Sequence, residues 1–183
     1  MIWLIIGSVS FVFLLLFDIG KIRGIRYAPI AFWLGGGLLS VATVGLVLPA
    51  VNQKVQALRY VSGIVAVGFL LALLYILFVA LPAKRTYSST EPQQLQKNGP
   101  YALCRHPAAW CMLFMYLFLW LYAGTKELLI AFVLFPLLNL LYIWVQDRYL
   151  FPRYIEGYDE YKLETPFLFP TRKSISAFFK QRN

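Results

Sequence analysis

The sequence has few of the residues from which metal and redox sites are built. It contains one histidine and two cysteines among 183 residues, and the cysteines do not form a Cys-x-x-Cys motif. A structural zinc site needs about four ligands of these types, so we expect no metal site. Both cysteines, Cys104 and Cys111, fall on the cytoplasmic side of the topology derived below, where thiols stay reduced, and we therefore expect no structural disulfide.

Charged residues are also scarce, and none lies near the centre of a long apolar run. They make up 14 % of the chain, whereas hydrophobic residues make up 60 %, which is more apolar surface than a water-soluble domain of this size can bury. Five runs approach the roughly 20 residues that cross a bilayer. They cover about 1–17, 28–50, 61–81, 107–123 and 128–145. We therefore expect an all-α integral membrane protein, a single domain of five transmembrane helices over residues 1–183. The absence of central charges disfavours a channel or transporter.

The positive charges are unevenly distributed along the chain, whose formal net charge is +9. With the N-terminus outside, the inner segments 18–27, 82–106 and 146–183 hold 14 Lys and Arg residues, and the outer segments hold 3. The positive-inside rule then predicts an external N-terminus and a cytoplasmic C-terminus. We interpret the charge as a topology signal and an attraction to anionic membrane lipid, not to nucleic acid. Nothing in the sequence indicates an oligomeric state.

The C-terminal segment has the pattern of a helix that lies on a membrane surface. Ile175, Phe178 and Phe179 can share one helical face. Basic residues surround that face, namely Arg172, Lys173, Lys180 and Arg182. Such a segment is typical of an interfacial anchor on the inner leaflet.

Two polar clusters lie at the cytoplasmic ends of the last two runs. Arg105-His106-Pro107 precedes the fourth run, and Gln146-Asp147-Arg148 follows the fifth. Because the connection between these runs is short, they should form an antiparallel hairpin that brings the clusters together. We expect a pocket there, open toward lipid and covered by Tyr154, Tyr158 and Tyr161 of the tail. By themselves, such residues at a membrane interface are more often anchors than catalytic groups.

A family resemblance favours the catalytic interpretation. The segment GPYALCRHP, followed after a further span by QDRYLFPRYIEGYDEYKLETPFLFP, resembles the isoprenylcysteine carboxyl methyltransferases and their relatives, the phospholipid N-methyltransferases. Gly99, Pro100, Tyr101, Arg105, His106 and Pro107 match the first motif, and Leu150, Tyr158, Tyr161, Pro166 and Pro170 match the second. The resemblance covers residues 95–170. The chain departs from the pattern at Gln146-Asp147, where the family has an acidic pair, and at Ala109, Cys111 and Ile155.

The resemblance implies an enzyme that binds S-adenosylmethionine in a cytoplasmic pocket and methylates a lipophilic acceptor, such as an isoprenylcysteine-like carboxylate or a related lipid. On this basis the candidate cofactor-binding residues are Tyr101, Arg105, His106, Pro107, Gln146, Asp147, Tyr158 and Tyr161. Arg105 would bind the cofactor carboxylate and His106 would hydrogen-bond the cofactor. The candidate catalytic residues are Asp147, Arg148 and Arg153. Asp147 would hold the cofactor ammonium or ribose, or accept a proton, and the two arginines would position an anionic acceptor.

Two other interpretations stay open. The sterol-type reductases, which use NADPH, are similar to this superfamily in their last spans and tail, and cofactor affinity would distinguish the two activities. The chain could instead be a non-catalytic membrane module with a decayed pocket, which the loss of the acidic pair supports.

Overall fold

A computed structural model describes residues 1–51, 57–81, 86–87 and 95–180, and these ranges are predominantly helical and contain no β-strand. The predicted all-α class is therefore confirmed. The helices are α1 (Ile2–Ile22), α2 (Ala28–Val51), α3 (Ala57–Tyr75), α4 (Pro100–Leu103), α5 (Pro107–Ala123), α6 (Lys126–Val145), α7 (Phe151–Tyr154), α8 (Tyr158–Glu164) and α9 (Arg172–Lys180). Single π-helical turns, Ile76–Ala80 and Gln146–Leu150, extend α3 and α6.

Four of the helical segments are long and apolar enough to cross a membrane. They are Ile2–Ile22, Ala28–Val51, Arg59–Ala80 and Lys126–Tyr154. The helix α5 is also apolar but has 17 residues, so its length is roughly 26 Å, slightly less than the hydrocarbon core of a bilayer. The predicted count of five spans stays a prediction.

The first helix ends later than the hydropathy pattern indicates. The apolar run ends at residue 17, but α1 continues to Ile22 and so includes Asp18 and Lys21. The helix continues because both side chains are buried, with exposed fractions of 1 % and 6 %, and both have partners from other parts of the chain. Contacts with residues that are distant in sequence thus stabilise the helix beyond its apolar part.

The helices pack as two layers that meet at α6. The first layer pairs α1 with α2, and the second pairs α3 with α5, while α6 contacts both α1 and α5. Phe11, Tyr116 and Phe135 form the centre of the shared core, with the latter two rings 5.2 Å apart in an edge-on arrangement. A Cβ atom at Gly7 would overlap the Phe135 ring, so glycine is what allows α1 to approach α6 this closely.

A tight connection makes α5 and α6 the predicted antiparallel pair. Gly124 ends α5 with a φ of 68°, a left-handed conformation that glycine adopts without a steric penalty. Thr125 then caps α6, since its side chain accepts a hydrogen bond from the Leu128 amide at 3.3 Å. The polar ends of the two helices therefore lie side by side at the opposite end of the hairpin.

The tail folds back onto the start of α5. The amides of Arg105 and His106 donate to the carbonyl oxygens of Pro166 and Phe167, at 2.9 and 3.3 Å, and the Trp110 indole donates to the Leu168 carbonyl at 2.9 Å. Beyond this segment α9 packs against α4. Ile175 and Phe179 on α9 are exposed. The tail thus covers the polar end of the bundle, where the candidate site lies.

Candidate functional site

Arg105 is the centre of the polar end of the bundle. Its Nε and Nη2 atoms donate to the two carboxylate oxygens of Asp147, at 2.7 and 2.9 Å. Its Nη1 donates to the carbonyl oxygens of Lys162 and Thr165, at 3.2 and 2.6 Å. Four of the five guanidinium N–H groups are therefore engaged within the protein. This confirms that the Arg105 and Asp147 clusters are adjacent, and it leaves one donor for a ligand.

The Asp147 carboxylate is a hub for two further side chains. Tyr158 donates its hydroxyl to Oδ1 at 2.7 Å, and His106 places Nε2 at 3.3 Å from the same oxygen. The His106 ring also lies beside Phe151 and Phe167, with centroid distances of 6.1 and 4.9 Å. Burial lowers the pKa of His106 despite the neighbouring carboxylate, so the imidazole is neutral at physiological pH.

The tyrosines of the site act as hydrogen-bond donors. Tyr161 donates to the carbonyl of Tyr101 at 2.6 Å, and Tyr101 donates to that of Ile76 at 3.3 Å. Burial raises the pKa of Tyr101, Tyr158 and Tyr161 well above the ordinary value. These hydroxyls therefore stay protonated and link α3, α4 and α8.

A second polar cluster surrounds Asp18, which sequence reasoning did not connect with the site. Its Oδ2 accepts from the Tyr142 hydroxyl at 2.7 Å and from the Gln146 amide at 2.9 Å, while Oδ1 accepts from the Tyr154 hydroxyl at 3.0 Å. The available sequence signal was an acidic residue at the end of an apolar run, followed by Lys21 one turn later. Without tertiary contacts, that pattern resembles an ordinary solvated helix end.

A cavity of about 690 Å³ connects these polar residues with the apolar part of the bundle. Its polar end includes Asp18, Arg105 and His106. Its apolar part lies between α2 and α3, two helices that make little contact with each other. Several lining side chains there are exposed, namely Trp33, Val44, Val67, Leu70 and Leu74. Gly36 and Gly37 also line it, and a Cβ atom at either would meet nothing within 4 Å. The cavity therefore opens sideways from the bundle.

The structure brings together most of the predicted site residues. Lining residues of the cavity include Tyr101, Arg105, His106, Pro107, Gln146, Tyr158 and Tyr161. Asp147 is buried behind Arg105 and is not among the described lining residues. Arg148 and Arg153 are exposed and do not line the cavity either, because they lie on faces of the π-helical turn and α7 that point away from it. Their predicted role in positioning an acceptor therefore has no support in this geometry.

Comparisons of the chain with protein-family models, curated proteins and solved structures gave no match.

Proposed function

We propose that the protein transfers a methyl group from S-adenosylmethionine to a lipophilic acceptor at the cytoplasmic face of a membrane. The observation that carries the proposal is the cavity of about 690 Å³, which has a polar end at Arg105 and His106 and an apolar part that opens sideways. Pockets of this volume hold ligands of the size of a nucleoside-containing cofactor. A charged, water-soluble molecule and a membrane-dissolved molecule could therefore meet inside it.

The chemistry of the polar end suits this cofactor. S-adenosylmethionine carries a carboxylate, an ammonium and a sulfonium, and it would supply the methyl group on the sulfonium when bound. Arg105 offers its remaining N–H to an anionic group, while the aromatic rings of Tyr154 and Tyr158, which line the cavity, favour a cationic one. Asp147 keeps Arg105 in place, so we assign it a positioning role in this proposal.

Methyl transfer requires mainly that the acceptor atom, the methyl carbon and the leaving sulfur are in line. The bidentate contact of Arg105 with Asp147 and its two carbonyl contacts fix the guanidinium to α6 and the tail. The tail segment that follows α8 covers this end of the bundle and limits the access of water. An apolar chain on the acceptor would gain about 0.8 kcal/mol for each methylene group buried.

The proposed topology has five spans, with the N-terminus outside and the C-terminus in the cytoplasm. It is supported by the uneven distribution of Lys and Arg, 14 against 3. The short helix α5 packs between α3 and α6, so its ends can be shielded from lipid by its neighbours. In this orientation α9 lies on the inner leaflet, with Ile175 and Phe179 toward the acyl chains and basic residues toward the lipid headgroups.

Calorimetric binding of S-adenosylmethionine to the detergent-purified full chain tests the proposal. We expect micromolar affinity for the wild type and about tenfold weaker binding for Arg105→Lys, because lysine keeps the charge but not the planar fork of donors. Arg148→Lys is the matched control, since Arg148 is exposed and outside the cavity. It should bind like the wild type.

Absence of binding by a folded wild type would refute the methyltransferase proposal. Titration with NADPH then tests the reductase interpretation, and failure of both cofactors to bind would favour the non-catalytic module.

A further inference from the structure

Asp18 presents a buried carboxylate to the cavity. Its exposed fraction is 1 %, and it is the single acidic residue among the described residues that line the cavity. The three groups that donate to it, from Tyr142, Gln146 and Tyr154, are all neutral. Neutral donors stabilise a carboxylate and fix its orientation, but they carry no charge that could balance its own.

Two cations near this end of the cavity have other hydrogen-bond partners. Lys21, one turn further along α1, donates to the carbonyl of Thr86 at 2.9 Å and is not among the described lining residues. Arg105 does line the cavity, but its guanidinium forms the bidentate pair with Asp147. Within the described part of the chain, Asp18 therefore forms no ion pair, and the charge of Lys21 acts on it only from a distance.

Aromatic rings complete the surroundings of Asp18. Phe17, Phe32, Tyr87 and Tyr154 all line the cavity, and the first three pack in one cluster. Phe32 stacks on Tyr87 at a centroid distance of 4.0 Å and lies 5.3 Å from Phe17. Such ring faces attract organic cations. The Lys21 ammonium, which lies 5.7 Å from the centre of the Phe17 ring and 5.6 Å from that of Tyr154, shows that these rings already accommodate one positive charge.

We propose that Asp18 and these rings form a binding site for the positively charged onium group of a ligand. That group is either the ammonium head of a lipophilic ligand, whose chain lies along Leu70, Leu74 and Phe78, or the sulfonium of S-adenosylmethionine. The assignment to the sulfonium rests on the proposed function, whereas the assignment to an ammonium head does not. A carboxylate-bearing ligand would meet repulsion at this position, so the site selects ligands by charge.

The test compares pairs of ligands in which one member carries an onium charge and the other has the same framework without it. One pair is decyltrimethylammonium and 1-decanol, and the other is S-adenosylmethionine and its uncharged thioether product, S-adenosylhomocysteine. Apparent Kd values are obtained from the concentration dependence of the unfolding temperature. The full chain is kept in dodecyl maltoside, because phosphatidylcholine would add a competing quaternary ammonium group.

Asp18→Asn removes the charge with little change in shape, and Asp159→Asn is the matched control at an exposed aspartate outside the cavity. The double variant Asp18→Asn/Gln146→Glu returns a carboxylate to the same place from α6, because the Gln146 amide lies 2.9 Å from Oδ2 of Asp18. If Asp18→Asn fails to fold, the wild type and the double variant still carry the test.

We expect the wild type to prefer the cation of at least one pair by about tenfold. The preference should be lost in Asp18→Asn, regained in the double variant and unchanged in Asp159→Asn. If Asp18 had only a structural role, Asp18→Asn would weaken the binding of both members of a pair equally, and that result would overturn the inference. The absence of a charge preference in the folded wild type would overturn it as well. Binding of both adenosyl ligands, with no charge preference in either pair, refutes the inference alone. A preference for decyltrimethylammonium without adenosyl binding refutes the proposed function alone.

Discussion

Replacement of Arg105 by alanine should destabilise the protein strongly. The side chain of Arg105 is 9 % exposed and that of Asp147 is 11 % exposed. The substitution removes both charged hydrogen bonds to Asp147 and leaves its carboxylate buried with neutral partners only. It also removes the donors to the carbonyl groups of Lys162 and Thr165, which join α8 and the tail to the start of α5.

The size of the loss in stability follows from the burial of this ion pair. Removal of one partner from a buried ion pair costs about 3–5 kcal/mol, because the remaining charge is uncompensated. For a chain of this length each kcal/mol lowers the unfolding temperature by about 2–4 °C. We therefore expect Arg105→Ala to unfold about 6–20 °C below the wild type.

The two cysteines provide the assay. Cys104 and Cys111 are buried, and burial raises the pKa of Cys104 to about 11, so a thiol-reactive dye should label the chain only as it unfolds. The control is Arg148→Ala, the same change at the exposed arginine that follows Asp147 in the sequence. It should leave the unfolding temperature unchanged. An Arg105→Ala midpoint within about 2 °C of the wild type would refute the argument that this residue joins the tail to the bundle.

Three further predictions concern the packing, the cavity and the histidine. Gly7→Leu should lower the unfolding temperature, measured with the same dye, because any side chain there overlaps the Phe135 ring. Gly36→Leu should fill part of the cavity and reduce transfer of radiolabelled methyl groups from S-adenosylmethionine to solvent-extractable membrane lipid, whereas Gly68→Leu, on an exposed position outside the cavity, should not. The folded-state pKa of His106 lies below the ordinary value of 6.5, so the unfolded chain binds the proton first as the pH falls. The wild type should therefore lose stability below about pH 6.5, and His106→Gln should lose less.

Each of these has a result that contradicts it. A Gly7→Leu protein with an unchanged midpoint would mean that α1 and α6 do not approach as described. Equal methyl transfer by the Gly36 and Gly68 variants would remove the cavity from the proposed reaction. Parallel pH profiles for the wild type and His106→Gln would show that the imidazole is not held neutral by burial.

The apolar helices could be predicted because their signal is local. Long runs such as 28–50 and 107–123 specify helices through length and composition alone, and these bounds agree closely with α2 and α5. The end of α1 could not be predicted in this way. Asp18 interrupts the apolar run, and only its contacts with Tyr142, Gln146 and Tyr154 show that the helix continues through it.

The meeting of Arg105 with Asp147 was also determined by the sequence, since a short connection between two antiparallel helices brings their far ends together. The partners of Arg105 in the tail were not. Its contacts with the carbonyl groups of Lys162 and Thr165 depend on where a segment 57 to 60 residues away folds back, and backbone carbonyls carry no sequence signal. The geometry therefore assigns to Arg105 a role in joining the tail to the bundle, which the pattern alone did not indicate.

The glycines of α2 also show the difference between what the sequence specifies and what tertiary contacts decide. Residues 35–37 are three consecutive glycines, and small residues of this kind suit close contact between membrane helices. Only the tertiary structure decided that Gly35 packs against α1, where a Cβ atom would lie 2.9 Å from the Ser10 carbonyl oxygen, while Gly36 and Gly37 face the cavity. Composition and length determine which segments become helices, because those signals are local. Which face of each helix is buried, and which polar groups meet there, depends on partners that are distant in sequence. For that reason the Asp18 cluster and the part of the cavity between α2 and α3 could be seen only in the folded chain.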